Sequence, residues 1–387
     1  MKKSFEYFQN TKIIFGRGRI NEAGELIKQY GKKCLLVTTP SVDPLSELYT
    51  KVKEIIIKEN IEVFHYDNVI PNPTTHTISE GAWLARENGV DVIVGLGGGS
   101  SLDAAKAIAV ESTHKGSAWD YLFFKEQPGI QTLPVIAIST TSGTGSHVTQ
   151  VSVITNPDKR DKSALYNPLL FPKACIIDPE LMLSLPNHIS SPTGFDVLCH
   201  AFESTLNPGT SVYTELLATE AIKIVVSFLP RILEDPLNIK YREKLAWADT
   251  LAGLCIANSG VTLPHGIGMA IGGMYPHIAH GEALAIVYPA CTKFTWSSAI
   301  EQYARLAKIL NPALDDLPAK SAAKETYNEI IKFLEKIKLN TNLKTFNVPE
   351  EELDKLAAQC LVLPDYKANP KIANLIQMKE ILMEAYG

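Results

Sequence analysis

The chain reads as an α/β domain on a mostly parallel sheet followed by an all-α domain. Three observations predict that order. Short β-branched runs alternate with helical patterns through the first half of the sequence. Strand-like runs almost vanish after "LMLSLPNHISSP" (181–192). The length of 387 residues exceeds what one ordinary core serves, so two domains are expected.

The first-half runs are "CLLVTT" (34–39), "EVFHYDNV" (62–69), "DVIVGLGGG" (91–99), "PVIAIST" (134–140) and "KACIIDP" (173–179). Each is short and β-branched, and each is followed by a Gly- or Pro-bearing turn. Between them, "LSELYTKVKEIIIKEN" and "THTISEGAWLARENG" place apolar residues at helical spacing. Strand, helix, strand in this rhythm is the grammar of parallel sheets. An early "TKIIFGRGRI" is expected to add an edge strand or hairpin. The second half is helical in "TELLATEAIKIVVSFLPRILED", "YREKLAWADTLAGLCIANSG", "AIEQYARLAKIL" and "KSAAKETYNEIIKFLEKI". The boundary falls near Pro186, giving expected domains 1–186 and 187–387.

Composition excludes several classes. The net charge is −5, with no basic excess to attract nucleic acid or an anionic membrane. Apolar runs such as "CLLV" and "VIVGL" are far short of a membrane span, and the N-terminus lacks a signal-peptide core. Six scattered cysteines with no C-x-x-C pair read as reduced thiols, so a cytoplasmic protein is expected.

Two turns carry chemistry. In "VIVGLGGGSSLDAAKAIA" (92–109) a buried strand meets a helix through Gly97, Gly98 and Gly99. Glycines let backbone N–H groups approach a ligand, Ser100 or Ser101 is placed to cap the helix, and its N-terminus favours an anion. Gly95, Gly97 and Ser100 give G-x-G-x-x-S rather than the dinucleotide fingerprint, and there is no P-loop lysine. A plain packing turn would look similar. The second turn, "PVIAISTTSGTGSHVTQ" (134–150), follows the next strand with Thr140, Thr141, Ser142, Thr144 and Ser146 around Gly143 and Gly145. Two such loops after successive strands share the sheet edge where open α/β sheets bind ligands, which favours a dinucleotide.

"GFDVLCHAFES" (194–204) sets Asp196 and His200 four residues apart, on one helical face. Alone, that spacing reads first as an aspartate hydrogen-bonded to a core histidine. "LPHGIGMAIGGMYPHIAHGEA" adds His265, His277 and His280 in a Gly-rich apolar segment, unlike a solvated surface. A carboxylate and imidazoles suit zinc or iron(II), so Asp196, His200 and two of these three histidines form a metal-site hypothesis.

At these residues the sequence resembles the iron-containing (group III) alcohol dehydrogenases, the family of lactaldehyde reductase, butanol dehydrogenase and 1,3-propanediol dehydrogenase. "GGGSSLDAAK", "STTSGTGSHVT", "VIPNPT", "IDPELMLSLP", "GFDVLCHAFES" and "HGEALAIVYP" fall in family order nearly end to end. The resemblance implies a Rossmann-like dinucleotide domain, a helical metal domain of dehydroquinate synthase-like two-domain architecture, and a cleft between them. It implies metal ligands at Asp196, His200, His265 and His280, because the family's last ligand is the histidine of a His-Gly pair. His277 is left as a weaker candidate for proton relay. On the cofactor side it implies contacts at Gly97, Gly98, Ser100, Asp103, Thr140, Thr141, Thr144 and Lys162, with Asn72 near the adenine end. It also implies a homodimer or larger homo-oligomer.

Three departures stand out. Met269 occupies a position where many members carry a proton-shuttling histidine. His147 replaces the family glutamate after T-G-S. At the end of the first domain strand, "LLVTTPSVDP" offers Thr38, Thr39 and Ser41 where a carboxylate would accept from the ribose 2′-OH. Thr39 and Ser41 are therefore expected to contact the cofactor, and small hydroxyls there favour NADP, although Asp43 lies further on.

The expected function is a metal-dependent NAD(P)-linked oxidoreductase interconverting a small primary alcohol or diol and its aldehyde, with iron(II) and zinc both matching the donor set. A glycerol dehydrogenase-like or dehydroquinate synthase-like enzyme on the same fold, or a non-catalytic metal- and nucleotide-binding protein, are the alternatives.

Overall fold

A computed structural model describes residues 4–387, apart from the side chain of Phe124. The chain divides into two compact units, Phe8–Leu185 and Pro186–Gly387, the latter joined by the N-terminal residues up to Tyr7. The ring of Tyr7 packs edge-on at 4.5 Å from that of Tyr213, which ties this N-terminal stretch to the helical unit.

The α/β unit holds β1 (Lys12–Phe15), α1 (Ala23–Lys28), β2 (Lys33–Val37), α2 (Leu45–Lys58), β3 (Glu62–Tyr66), α3 (Thr75–Glu87), β4 (Val92–Gly97), α4 (Gly99–Glu111), β5 (Val135–Ser139), β6 (Val151–Asn156), β7 (Asp161–Tyr166) and β8 (Ala174–Ile177). Six strands form one sheet in the order β1-β8-β5-β4-β2-β3, every neighbouring pair parallel. Helices cover both faces, so β4 and β5 are buried at every residue and read as continuous apolar runs. The "TKIIFGRGRI" segment settles as the edge strand β1 beside β8. The start of α3 is set locally: Thr74, extended, accepts a hydrogen bond from the Thr77 N–H.

β6 and β7 pair antiparallel as a hairpin outside this sheet. The βαβ reading passed over it. Its signal is two alternating runs, "VSVIT" and "DKSALY", flanking the turn residues Asn156, Pro157 and Asp158.

The helical unit holds α5 (Asn187–Leu206), α6 (Val212–Glu234), α7 (Ile239–Ser259), α8 (Leu263–Met274), α9 (His280–Thr295), α10 (Ile300–Leu310), α11 (Ala319–Lys336), α12 (Leu353–Gln359) and α13 (Leu375–Tyr386). α5 is its axis, packed by α6, α7 and α9. Phe195, Val197, Leu198 and Phe202 are buried along it, each worth roughly 1.5–3 kcal/mol. Gly194 permits the closest approach to α6, since a Cβ there would lie 2.5 Å from Leu229 Cδ1. Among the described residues no single helix is long and apolar enough to cross a membrane.

Candidate metal centre and cofactor turns

In the helical unit, α5 aims three polar side chains from one face: Asp196, His200 and, one turn further, Glu203. His265 enters from the first turn of α8, and His280 is the first residue of α9. α9 seats closely because residue 281 is glycine: a Cβ there would stand 2.1 Å from the Pro192 carbonyl oxygen of α5. Gly268 on α8 faces α9 closely, where a Cβ would stand 3.1 Å from Leu284 Cδ2 and touch His280 Cε1 at 3.4 Å. The His-Gly pair thus has a packing cause.

The Asp196 Oδ1 lies 3.4 Å from His265 Nε2 and 3.6 Å from His200 Nε2. The His200 and His265 rings stack at 4.6 Å, and the His280 ring lies 5.3 Å from that of His265. Donor atoms of Asp196, His265 and His280 fall within 4.8 Å of one another. Two ligands about 2.1 Å from one tetrahedral ion stand roughly 3.4 Å apart, so this spacing fits a metal ion. Asp196 Oδ1 and His265 Nε2 are buried without a hydrogen-bond partner among the described residues. Buried polar atoms are nearly always satisfied, and a divalent cation would satisfy both. The donor set and the orphaned atoms therefore fit iron(II) or zinc.

Electrostatics agree. Burial pushes the Asp196 carboxyl up, but the imidazoles of His200, His265 and His280 outweigh it and hold the pKa down at about 2. The carboxylate is ionised, as a ligand must be.

Glu203, which sequence reasoning left unassigned, completes the support. It is fully buried, and its Oε1 lies 2.7 Å from His265 Nδ1. Its Oε2 accepts from the Thr262 N–H at 2.9 Å and the Thr262 hydroxyl at 3.2 Å. The available signal was its i+7 place after Asp196 on the same face. His277 is not brought to this group. It is exposed, with Nε2 3.0 Å from the Phe346 carbonyl oxygen. Met269 is buried on α8 and carries no proton.

In the α/β unit, the turns after β4 and β5 meet. Thr140 donates its N–H to the Gly97 carbonyl at 3.0 Å. A Cβ on Gly98 would lie 3.1 Å from Thr141, and one on Gly99 would lie 2.5 Å from Thr144 Cγ2. Neither Ser100 nor Ser101 caps α4. The N-cap is Gly98 in extended conformation, and no side chain caps the first turn, whose N–H groups suit a diphosphate. Asp103 is turned inward: its carboxylate accepts from Ser146 Oγ at 2.6 Å and the Val153 N–H at 3.1 Å. Lys162 donates to Asn72 Oδ1 at 2.7 Å, so these two expected contacts stand together. His147 is buried. Burial, then the nearby Lys106, push its pKa down to about 3, so it stands neutral.

The hydroxyls after β2 are not free for a phosphate in the way the sequence suggested. Thr39 Oγ1 lies 2.7 Å from Tyr49 OH, Thr38 Oγ1 lies 2.9 Å from His65 Nε2, and Ser41 donates to Asp67 Oδ2 at 2.9 Å. Asp67 follows β3, which pairs with β2, and supplies the carboxylate missing from the β2 terminus itself. The hydroxyls counted toward NADP are thus engaged within the protein, beside a half-buried carboxylate.

Two family models match the chain: "Iron-containing alcohol dehydrogenase" over residues 10–179 and "Fe-containing alcohol dehydrogenase family, C-terminal" over residues 190–386. The NAD-dependent methanol dehydrogenase of Bacillus methanolicus is 29% identical over 381 residues, 98% of this chain and 99% of its own. The 1,3-propanediol dehydrogenase of Citrobacter freundii is 29% identical, covering 99% of each chain. The crystal structure of an archaeal halo-thermophilic alcohol dehydrogenase from a Red Sea brine pool superposes with a TM-score of 0.94 at 35% identity, over 100% of both chains.

Proposed function

This chain belongs to the iron-containing alcohol dehydrogenase family and is an alcohol oxidoreductase, and from that premise we propose that Asp196, His200, His265 and His280 hold iron(II) for NAD-linked interconversion of a small primary alcohol or diol and its aldehyde. The observation that carries the ligand assignment is the pair of orphaned buried atoms, Asp196 Oδ1 and His265 Nε2, facing each other at 3.4 Å. When bound, the metal supplies a Lewis acid that makes the alcohol hydroxyl acidic near neutral pH, and the nicotinamide supplies the hydride acceptor.

The protein's own part is orientation and proton placement. Glu203 accepts a hydrogen bond from His265 Nδ1–H, which leaves Nε2 as the ligand atom. Met269 on α8 offers no proton carrier, so this reading assigns the alcohol proton to a path other than that residue. The Gly97–Gly99 turn and the Thr140–Thr144 turn bring backbone and hydroxyl groups to the end of the sheet for the diphosphate. NAD is the cofactor this reading favours, because it assigns the adenosine ribose to the edge where Asp67 holds Ser41 and because the methanol dehydrogenase relative is NAD-dependent. The six cysteines are all free and buried, which fits residence in the reducing cytoplasm.

The test is reconstitution. Chelator-stripped protein loaded with iron(II) or zinc is assayed for NADH and NADPH formation with 1-butanol and 1,3-propanediol. His265→Ala is expected to lose both metal, by elemental analysis, and turnover. Full metal content with undiminished turnover in that variant rejects the ligand set.

A further inference from the structure

One carboxylate near the metal group has no part in the chemistry above. Asp365 is the second residue of the short 3-10 helix Pro364–Ala368, which packs on α8. It lies against Gly266, the residue following His265: a Cβ on Gly266 would stand 3.4 Å from Asp365 Cβ and 3.6 Å from the Tyr366 nitrogen. The short helix thus packs directly beside the residue that follows His265. The Asp365 side chain is half-buried and keeps part of its surface accessible. Burial pushes its carboxyl up, and the charges of His265 and Glu203 both act on it, which places it within electrostatic reach of the centre. No other described side chain hydrogen-bonds to its carboxylate or forms an ion pair with it, and it lies outside the set of donor atoms that converge on the metal position.

A half-buried carboxylate with no side-chain donor keeps acceptor capacity that a ligand's hydroxyl or ammonium can fill. We propose that Asp365 is a specificity-determining residue that accepts a hydrogen bond from a second polar group on the substrate, so that the preferred substrates are small alcohols bearing a terminal donor, a hydroxyl or an ammonium, rather than plain alkanols. The inference rests on the reading of His265 as part of the reacting centre.

Three isosteric substrates isolate the contact: 1-butanol, 1,3-propanediol and 3-amino-1-propanol differ only in a terminal methyl, hydroxyl or ammonium. Wild type is expected to show higher kcat/KM for at least one donor-bearing substrate than for 1-butanol. In Asp365→Ala that ratio falls by roughly ten- to hundredfold, mainly through KM. Asp365→Asn retains an acceptor oxygen. It keeps the diol ratio if the partner is a hydroxyl and loses the amino-alcohol ratio if the partner is an ammonium. Metal content and thermal midpoint are measured on each variant; should the alanine variant misfold, the near-isosteric asparagine carries the test. An active wild type with no preference for either donor, or ratios unchanged in both folded variants, overturns the role of Asp365. A metal-loaded wild type that turns over none of the three overturns the reading of the centre, and this inference with it.

Discussion

His265 Nδ1 lies 2.7 Å from Glu203 Oε1, in a place from which solvent is excluded. This contact fixes the orientation of the ring, with Nδ1 on Glu203 and Nε2 facing Asp196. It also explains the field at His265. Burial pulls its pKa down, but Glu203 and Asp196 together raise it to about 10.

Glu203→Gln keeps the shape and removes the charge. The expected outcome is metal affinity weaker by roughly ten- to hundredfold, with the fold intact. Titration of stripped protein with iron(II) or zinc against a competing chelator measures it. Unaltered affinity would mean that Glu203 serves only the Thr262 backbone.

Gly281→Ala tests the seating of α9. Its Cβ would meet the Pro192 carbonyl oxygen at 2.1 Å, contact with backbone that no rotamer change relieves. A loss of roughly 1–3 kcal/mol or more is expected by denaturant melt, with reduced metal occupancy because His280 is adjacent. Wild-type stability would show that α9 shifts at no cost.

His147 makes stability depend on pH. Its folded pKa, pushed down to about 3, lies below the ordinary value of 6.5. Between those values the unfolded chain binds a proton that the folded chain refuses. Stability therefore rises with pH across this window and falls on acidification, by up to about 1.4 kcal/mol per pH unit. His147→Gln should flatten the slope of denaturation free energy against pH within the window. An identical slope would assign the acid sensitivity to other groups.

Asp67→Asn should shift cofactor choice. Removing the carboxylate that holds Ser41 is expected to raise kcat/KM for NADP relative to NAD by roughly tenfold, mostly through KM. If the ratio does not move, the ribose does not meet this edge.

The sequence by itself determined the parts set by local period and local chemistry. Alternating β-branched runs and helical patterns specify β2 to β5 with their helices, because strand and helix each repeat within a few residues. Asp196 and His200 share a face for the same reason, and Gly97 to Gly99 mark a close backbone approach by their missing Cβ. Only the tertiary structure decided the long-range pairings. It brought Glu203 to His265 across 62 residues. It placed His280 at the group and His277 at the surface, although they are three residues apart, because Gly281 lets α9 seat on α5 at its first turn. It set Asp67 beside Ser41 through the pairing of β2 with β3, a carboxylate that β2 alone does not show. It also put Asp365 against Gly266 from a segment with no motif of its own. Spacing along the chain reports which side chains share an element's face. Which elements then meet depends on how their buried faces pack, and no short window of sequence contains that.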